Sequence, residues 1–297
     1  MMAYEKTGEI FQSIHELGLT DETFRKRSME RYSLEEFGLS SLEDLECCVF
    51  GCGAGGTEIF NLLSLGAKFV HGIDLIPDYV PTTEKELKDF DGRYNLVVGS
   101  IVTHPFDDES FDFVTCNGVI HHINEDVEAL NQIGRTVKKG GYAYLEVAGT
   151  GGIMDELVKG TLRDRYTDNG EFKDIIDNLS VDSIRSCLNW IKSGMENDGT
   201  EQYKKAVSIV ENISDLIDND FVQCVLDRIQ APLYKGYTQA QFEEMLRNAG
   251  FTSWKRIGRK PNFNNIRKLA SPLYGYHDHL YSRLMYGDGQ LSMMCKK

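Results

Sequence analysis

Between residues 46 and 149, short apolar runs alternate with helix-like segments, and this alternation limits the possible folds more than any other feature of the chain. CCVFG (47–51), KFVHGIDL (68–75), YNLVVGSI (94–101), FDFVTCNGVI (111–120) and YAYLEVAG (142–149) read as strands. GTEIFNLLSLG, TTEKELKDF and INEDVEALNQIGRTVKKGG between them have helical periodicity, the last with Asn124 as its cap and Gly140–Gly141 as its stop. Strands this apolar, separated by helices, belong in a parallel sheet covered on both faces. Past Gly149 the pattern changes: residues 153–230 are helical throughout, too long a stretch for a loop, and predict an insertion. YTQAQFEEMLRNAG then reads as a helix, FTSWKRIGRK as a strand and QLSMMCKK as a last strand. Four parts are expected: an N-terminal helical cap (1–45), an α/β core (46–150), a helical insertion over the substrate (151–231) and a return to the core sheet (232–297).

Charge is uneven along the chain. The 297 residues carry a net charge of -14, and all of the excess lies in residues 1–150, where 26 Asp and Glu face 12 Lys and Arg. An acidic surface repels phosphate backbones and anionic lipid, so neither a nucleic acid nor a membrane is expected as a partner. The seven cysteines form no CxxC pair and several lie in apolar strands, which predicts reduced, packed thiols and no zinc cage. The charged N-terminus and the absence of any run near ~20 apolar residues predict a cytoplasmic protein.

The glycine run CVFGCGAGGTE (48–58) follows the first strand and opens the first helix. Such a turn lets backbone approach a ligand, with the helix N-terminus aimed at it. Its glycines satisfy two spacings: Gly51, Gly53 and Gly55 suit a loop under an S-adenosyl group, and Gly51, Gly53 and Gly56 suit a dinucleotide pyrophosphate. Asp74, 21 residues after Gly53 at the end of the second strand, can accept both ribose hydroxyls of either ligand. These residues alone leave both a nicotinamide oxidoreductase or epimerase, NAD(P)-dependent, and a sulfonium-dependent enzyme open.

Downstream motifs separate the two. VVGSIVTHPFDDESFDFVTCNGVIHHI, VKKGGYAYLEV and YTQAQFEEMLRNAGF, in this order after FGCGAGG and GIDL, resemble the class I S-adenosylmethionine-dependent methyltransferases over residues 46–148 and 237–297. The resemblance implies a Rossmann-like doubly wound sheet of seven strands with an antiparallel last strand. It implies S-adenosyl-L-methionine as cofactor, with S-adenosyl-L-homocysteine as product, and methyl transfer to an acceptor expected to be a small molecule. The alternatives are an NAD(P)-dependent oxidoreductase or epimerase on a related sheet, a protein of this kind that binds the cofactor without catalysis, and a tRNA- or protein-modifying methyltransferase, which would need a basic groove.

The same resemblance distributes roles. Gly51, Cys52, Gly53 and Gly55 line the methionine end of the cofactor, Cys52 through its backbone. Asp74 holds the ribose, Leu75 and Ile101 sandwich the adenine, and Ser100 meets its amino edge. Asn117 and Gly118 border the methyl group, and His121 and His122 are the candidate bases. Most members carry an acid two residues before the first glycine of the loop. Val49 stands there instead, so Asn117 or a backbone carbonyl is expected to meet the cofactor's amino group. Four further groups draw notice. His277, Asp278 and His279 have ligand chemistry but no evident third partner, so no metal is expected. Lys255, Arg256, Arg259, Lys260, Arg267 and Lys268 make a local basic region. Tyr166, Trp190, Tyr203 and Phe221 could roof the pocket, and Arg25, Arg27 or Arg31 could approach the cofactor's carboxylate.

Overall fold

Seven strands share one sheet in the order β3-β2-β1-β4-β5-β7-β6 in the computed structural model, which describes residues 10–11, 34–258 and 263–297. The expected N-terminal cap and Arg25, Arg27 and Arg31 lie outside the described residues, apart from Ile10–Phe11 and residues 34–45. The strands are β1 (Glu46–Phe50), β2 (Phe69–Asp74), β3 (Tyr94–Val98), β4 (Phe111–Asn117), β5 (Val137–Ala148), β6 (Ser253–Arg256) and β7 (Gln290–Lys296). Strands β1 to β5 pair in parallel, whereas β7 runs antiparallel between β5 and β6. The order reverses between β1 and β4, and a crevice opens beyond the carboxyl ends of strands at such a switch point.

The helices follow the sequence closely. After a single turn α1 (Leu34–Phe37) come α2 (Thr57–Ser64), α3 (Tyr79–Glu86) and α4 (Asp126–Thr136), each linking parallel strands. Side chains of β1 alternate between the two layers. Cys48 and Phe50 face a core with Val114, Leu145, Leu130 and Phe242, whereas Cys47 and Val49 face Ile59, Leu62, Phe113 and Tyr144. All of these side chains are fully buried, which stabilises the fold by about 1.5–3 kcal/mol for each large apolar side chain.

One boundary differs from the sequence reading. The helix expected to reach Gly141 ends at Thr136, no side chain caps its start, and β5 begins at Val137. Gly140 and Gly141 lie within that strand, at the irregularity where Phe111 pairs with Val137 but Phe113 with Tyr142. A Cβ on Gly141 would stand 2.9 Å from the carbonyl oxygens of Asp112 and Lys138, so these glycines permit an irregularity within an inner strand rather than a helix stop.

The insertion consists of α5 (Ile153–Leu157), a π-helical segment (Val158–Leu162), α6 (Arg163–Asp168), α7 (Gly170–Asp177), α8 (Val181–Ser193), α9 (Glu201–Asp215) and α10 (Asn219–Gln230). Side-chain caps define it locally: Ser180 with Ser183 in a capping box, Thr200 on Tyr203, and Asp218 on Phe221. Ile176, Val222, Leu226 and Ile229 form its small core. Trp190 is 76% exposed and roofs nothing. The Tyr166 hydroxyl donates to Asp177 within the insertion.

The chain then returns to the sheet through α11 (Gln239–Asn248), a short turn α12 (Ser271–Tyr274) and α13 (Leu280–Tyr286). Part of the basic region serves this return. Arg267 pairs with Asp220, and Asn265 donates to both Asp218 and Asp220, tying the C-terminal segment to α10. Arg256 donates to Gln239 and to backbone carbonyls of Asp288 and Gln290. Arg259 and Lys260 lie outside the described residues. Among the described residues, no helix is long and apolar enough to cross a membrane.

Candidate cofactor and acceptor site

The glycine run turns sharply where β1 ends. Gly51, Gly53, Gly55 and Gly56 all have positive φ, a region that L side chains enter only with strain. The Gly51 and Cys52 N–H groups both donate to Ile73 O, at 2.8 and 3.1 Å, fastening the loop to the end of β2. The Gly53 N–H donates to Asp74 Oδ2 at 2.9 Å, and the Ile76 N–H to Asp74 Oδ1 at 3.3 Å. Asp74 thus joins the loop to the turn after β2. Burial pushes its carboxyl above the usual carboxylate range, and the backbone donors pull it back. A shallow, open depression lies on this carboxylate, with Cys52, Ile76, Tyr79 and Val98 among its walls.

The predicted residues gather around this turn. Ser100 accepts from the Val102 N–H and caps a short 3-10 turn that holds Ile101 in the core. Leu75 is half-exposed at the lip. Asn117 ends β4, and Gly118 follows with positive φ and nothing within 4 Å of where a Cβ would stand. Cys52 offers no thiolate, because burial and the nearby Asp74 carboxylate push its thiol well up. The loop fits an adenosyl cofactor: a close backbone approach, open space beside Gly118, and a fixed carboxylate at the ribose position.

His121 and His122 are buried in the turn after β4. His122 Nδ1 lies 2.7 Å from Leu233 O, so this nitrogen carries a proton and donates. Burial holds the His122 imidazole below its ordinary value, which keeps it neutral and leaves Nε2 as the proton acceptor. His121 Nδ1 instead accepts the Ala148 N–H at 3.4 Å, which places the ring proton of neutral His121 on Nε2. The two rings lie 4.1 Å apart with Tyr234 edge-on to both.

Two contributors escape a reading by motif. Glu58, in the first turn of α2, accepts from Thr115 Oγ1 at 3.1 Å and from the Asn117 side-chain amide. Thr83 of α3 donates to Gly53 O at 3.4 Å, and its methyl fills the space that a Cβ on Gly56 would need. Neither pairing has a sequence spacing that announces it. The histidines near the C-terminus have local partners: His279 accepts the Tyr281 N–H as the cap of α13, and His277 contacts Asp278.

A glycine turn at the switch point, an acid closing β2 and a reversed β7 together define the class I S-adenosylmethionine-dependent methyltransferase fold. Residues 49–145 match the family described as "Methyltransferase domain", so the chain carries a domain of this class, with S-adenosylmethionine as its cofactor. A methyltransferase structure from Mesorhizobium loti shares the fold at a TM-score of 0.50 and 12% identity, covering 89% of this chain and 95% of that one. PKMT2 from Rickettsia typhi, solved in complex with AdoHcy, does so at 0.54 and 17%, covering 94% and 53%. The tRNA U34 carboxymethyltransferase of Glaesserella parasuis is 29% identical over 194 residues, covering 64% of this chain and 57% of that protein. Relatives from other bacteria carry the same name, and the chain spans about half the length of the curated relatives it matches.

These names correct one expectation. A small-molecule acceptor with no nucleic acid was inferred from an acidic net charge, yet the curated relatives are named for a tRNA nucleotide. The physical reason lies in scale. Net charge sums the whole surface, whereas recognition of one extruded base depends on a pocket and a few neighbouring phosphate contacts.

Proposed function

We propose that this chain transfers a one-carbon group from S-adenosylmethionine to a nucleobase of tRNA. The observation that carries the cofactor half is the Asp74 clamp, in which one half-buried carboxylate takes N–H groups from both the glycine loop and the turn after β2. The bound cofactor supplies an activated carbon on a sulfonium, which an acceptor displaces in line. The protein's part is to position, to exclude water and to handle a proton. In this reading Gly51, Cys52, Gly53 and Gly55 present backbone to the methionine end and Asp74 holds the ribose. Leu75, Ser100 and Ile101 surround the adenine, and Asn117 and Gly118 flank the reacting carbon. His122 Nε2 takes the acceptor's proton, and His121, with Nε2 protonated, can donate a hydrogen bond beside it. The tRNA half rests on the names of the curated relatives, and a cytoplasmic setting, where tRNA is found, accords with it.

The test pairs binding with product analysis. Calorimetric titration with S-adenosylhomocysteine and with NAD addresses the cofactor, and binding of NAD alone would refute it. Incubation with labelled cofactor and unmodified tRNA, followed by nucleoside mass spectrometry, addresses the acceptor. A new alkylated nucleoside is expected. A chain that binds S-adenosylhomocysteine but labels only a metabolite fraction would refute the tRNA half.

A further inference from the structure

We propose that Glu58 is the residue that receives the ammonium group of the cofactor's amino-acid end, in place of the acid missing at position 49. The assignment rests on the cofactor reading above and names a residue that the loop motif does not contain. Val49 is fully buried in the apolar layer against Ile59, Leu62 and Phe113, so β1 brings no charge to the loop. Asp74, Glu146 and Glu58 stand near the carboxyl ends of the central strands, and their surroundings separate them. Asp74 faces the β2 side, with one oxygen on the Gly53 N–H and the other on the Ile76 N–H. Glu146 is 2% exposed within β5, where the hydroxyls of Tyr144 and Ser292 and the amide of Gln290 donate to it. Glu58 comes from the loop's own helix and spans to the end of β4, held by Thr115 and Asn117.

That bracing fixes a negative charge between the first turn of the loop's helix and the end of β4, the strand that Gly118 follows. The charge is felt on both flanks: Glu58 contributes to raising the thiols of Cys52 in the loop and Cys116 in β4. The side chain of Asn117 therefore has a role different from the one its position suggests. It donates to Glu58 and orients the carboxylate, which makes the charged contact. An S-adenosyl ligand laid with its ribose on Asp74 and its sulfonium toward Gly118 brings its amino-acid end past this carboxylate.

Calorimetry on wild type and Glu58→Gln, with S-adenosylhomocysteine and with 5′-methylthioadenosine, tests the assignment. The second ligand keeps the adenosyl thioether but lacks the amino-acid end. The variant is expected to lose about tenfold or more in affinity for S-adenosylhomocysteine, the weight of one charge-assisted hydrogen bond, and to bind 5′-methylthioadenosine within about threefold of wild type. Equal losses for both ligands, or no loss for S-adenosylhomocysteine, would overturn it. The wild-type chain supplies a second measurement that does not depend on the variant folding. The analogue of S-adenosylhomocysteine lacking only the amino group should bind about tenfold more weakly than the parent, and equal affinity would overturn the proposal. A wild-type chain that binds none of these ligands would overturn the cofactor reading with it, whereas binding indifferent to the amino group defeats the Glu58 assignment alone.

Discussion

Replacing Gly51 by alanine probes how the glycine turn is held. Gly51 has φ +75°, and a Cβ there would stand 2.4 Å from one methyl of Val119, 3.1 Å from the other and 3.2 Å from its Cβ. Val119 is β-branched and stiff about χ1, and its Cβ already lies at 3.2 Å, so turning a methyl away gives little relief. Two costs therefore combine. The left-handed backbone costs an L-residue about 1–2 kcal/mol, and overpacking against a stiff β-branched neighbour costs about 1–3 kcal/mol. Gly51→Ala should thus destabilise the fold by roughly 2–5 kcal/mol, the sum of these terms. Val119→Ala removes both offending methyls and leaves the backbone term. In that background the Gly51→Ala penalty should shrink to about 1–2 kcal/mol, so the double-mutant cycle should give a coupling of about 1 kcal/mol or more. Urea unfolding of the four proteins, read as midpoints at constant m, measures every corner of the cycle. A coupling within about 0.3 kcal/mol of zero would show that the two residues do not meet as described, and would refute this account of the loop.

Asp74→Asn keeps the shape but turns an amide NH2, itself a donor, toward one of two backbone donors, so one hydrogen bond is lost; affinity for S-adenosylhomocysteine should fall about tenfold or more by calorimetry. Because burial raises the folded Asp74 carboxyl above its ordinary value, its ionisation costs stability above the unfolded pKa, and that cost disappears as pH falls through the folded value. Binding has the opposite sign, since the ribose needs the ionised form: affinity should weaken on acidification from above the usual carboxylate range, and the asparagine variant should lack this component. Glu146→Leu leaves the Tyr144, Ser292 and Gln290 donors without their acceptor. At about 1–3 kcal/mol for each of the two buried hydroxyl donors, Tyr144 and Ser292, it should lower stability by several kcal/mol in urea unfolding. His122→Phe keeps a ring but removes the Nε2 base; turnover should fall by about 10² or more with S-adenosylhomocysteine affinity nearly unchanged, and unaltered turnover would assign His122 to anchoring the Leu233 segment alone.

Local chemistry in the sequence is enough for the frame of this protein. Apolar runs such as CCVFG and FDFVTC can be satisfied only in a covered parallel sheet, because both of their faces are apolar. The glycines from Gly51 to Gly56 are legible because only glycine takes these backbone angles freely, and Asp74 because a strand's end has a fixed place relative to the loop. The end of α4 was not legible: Val137 to Lys139 suit helix or strand, and pairing with Phe111 decided for strand. Whole-chain charge misled about partners, since a sum over residues carries no geometry. Glu58 could not be seen in advance either. It lies 57 residues from Thr115 and 59 from Asn117, and only the packing of α2 across the ends of β1 and β4 brings them together. The sequence determined which backbone could form the turn, because conformational preference is local. Tertiary structure decided which side chains surround it, because hydrogen bonds between distant residues exist only once the sheet has set their separation.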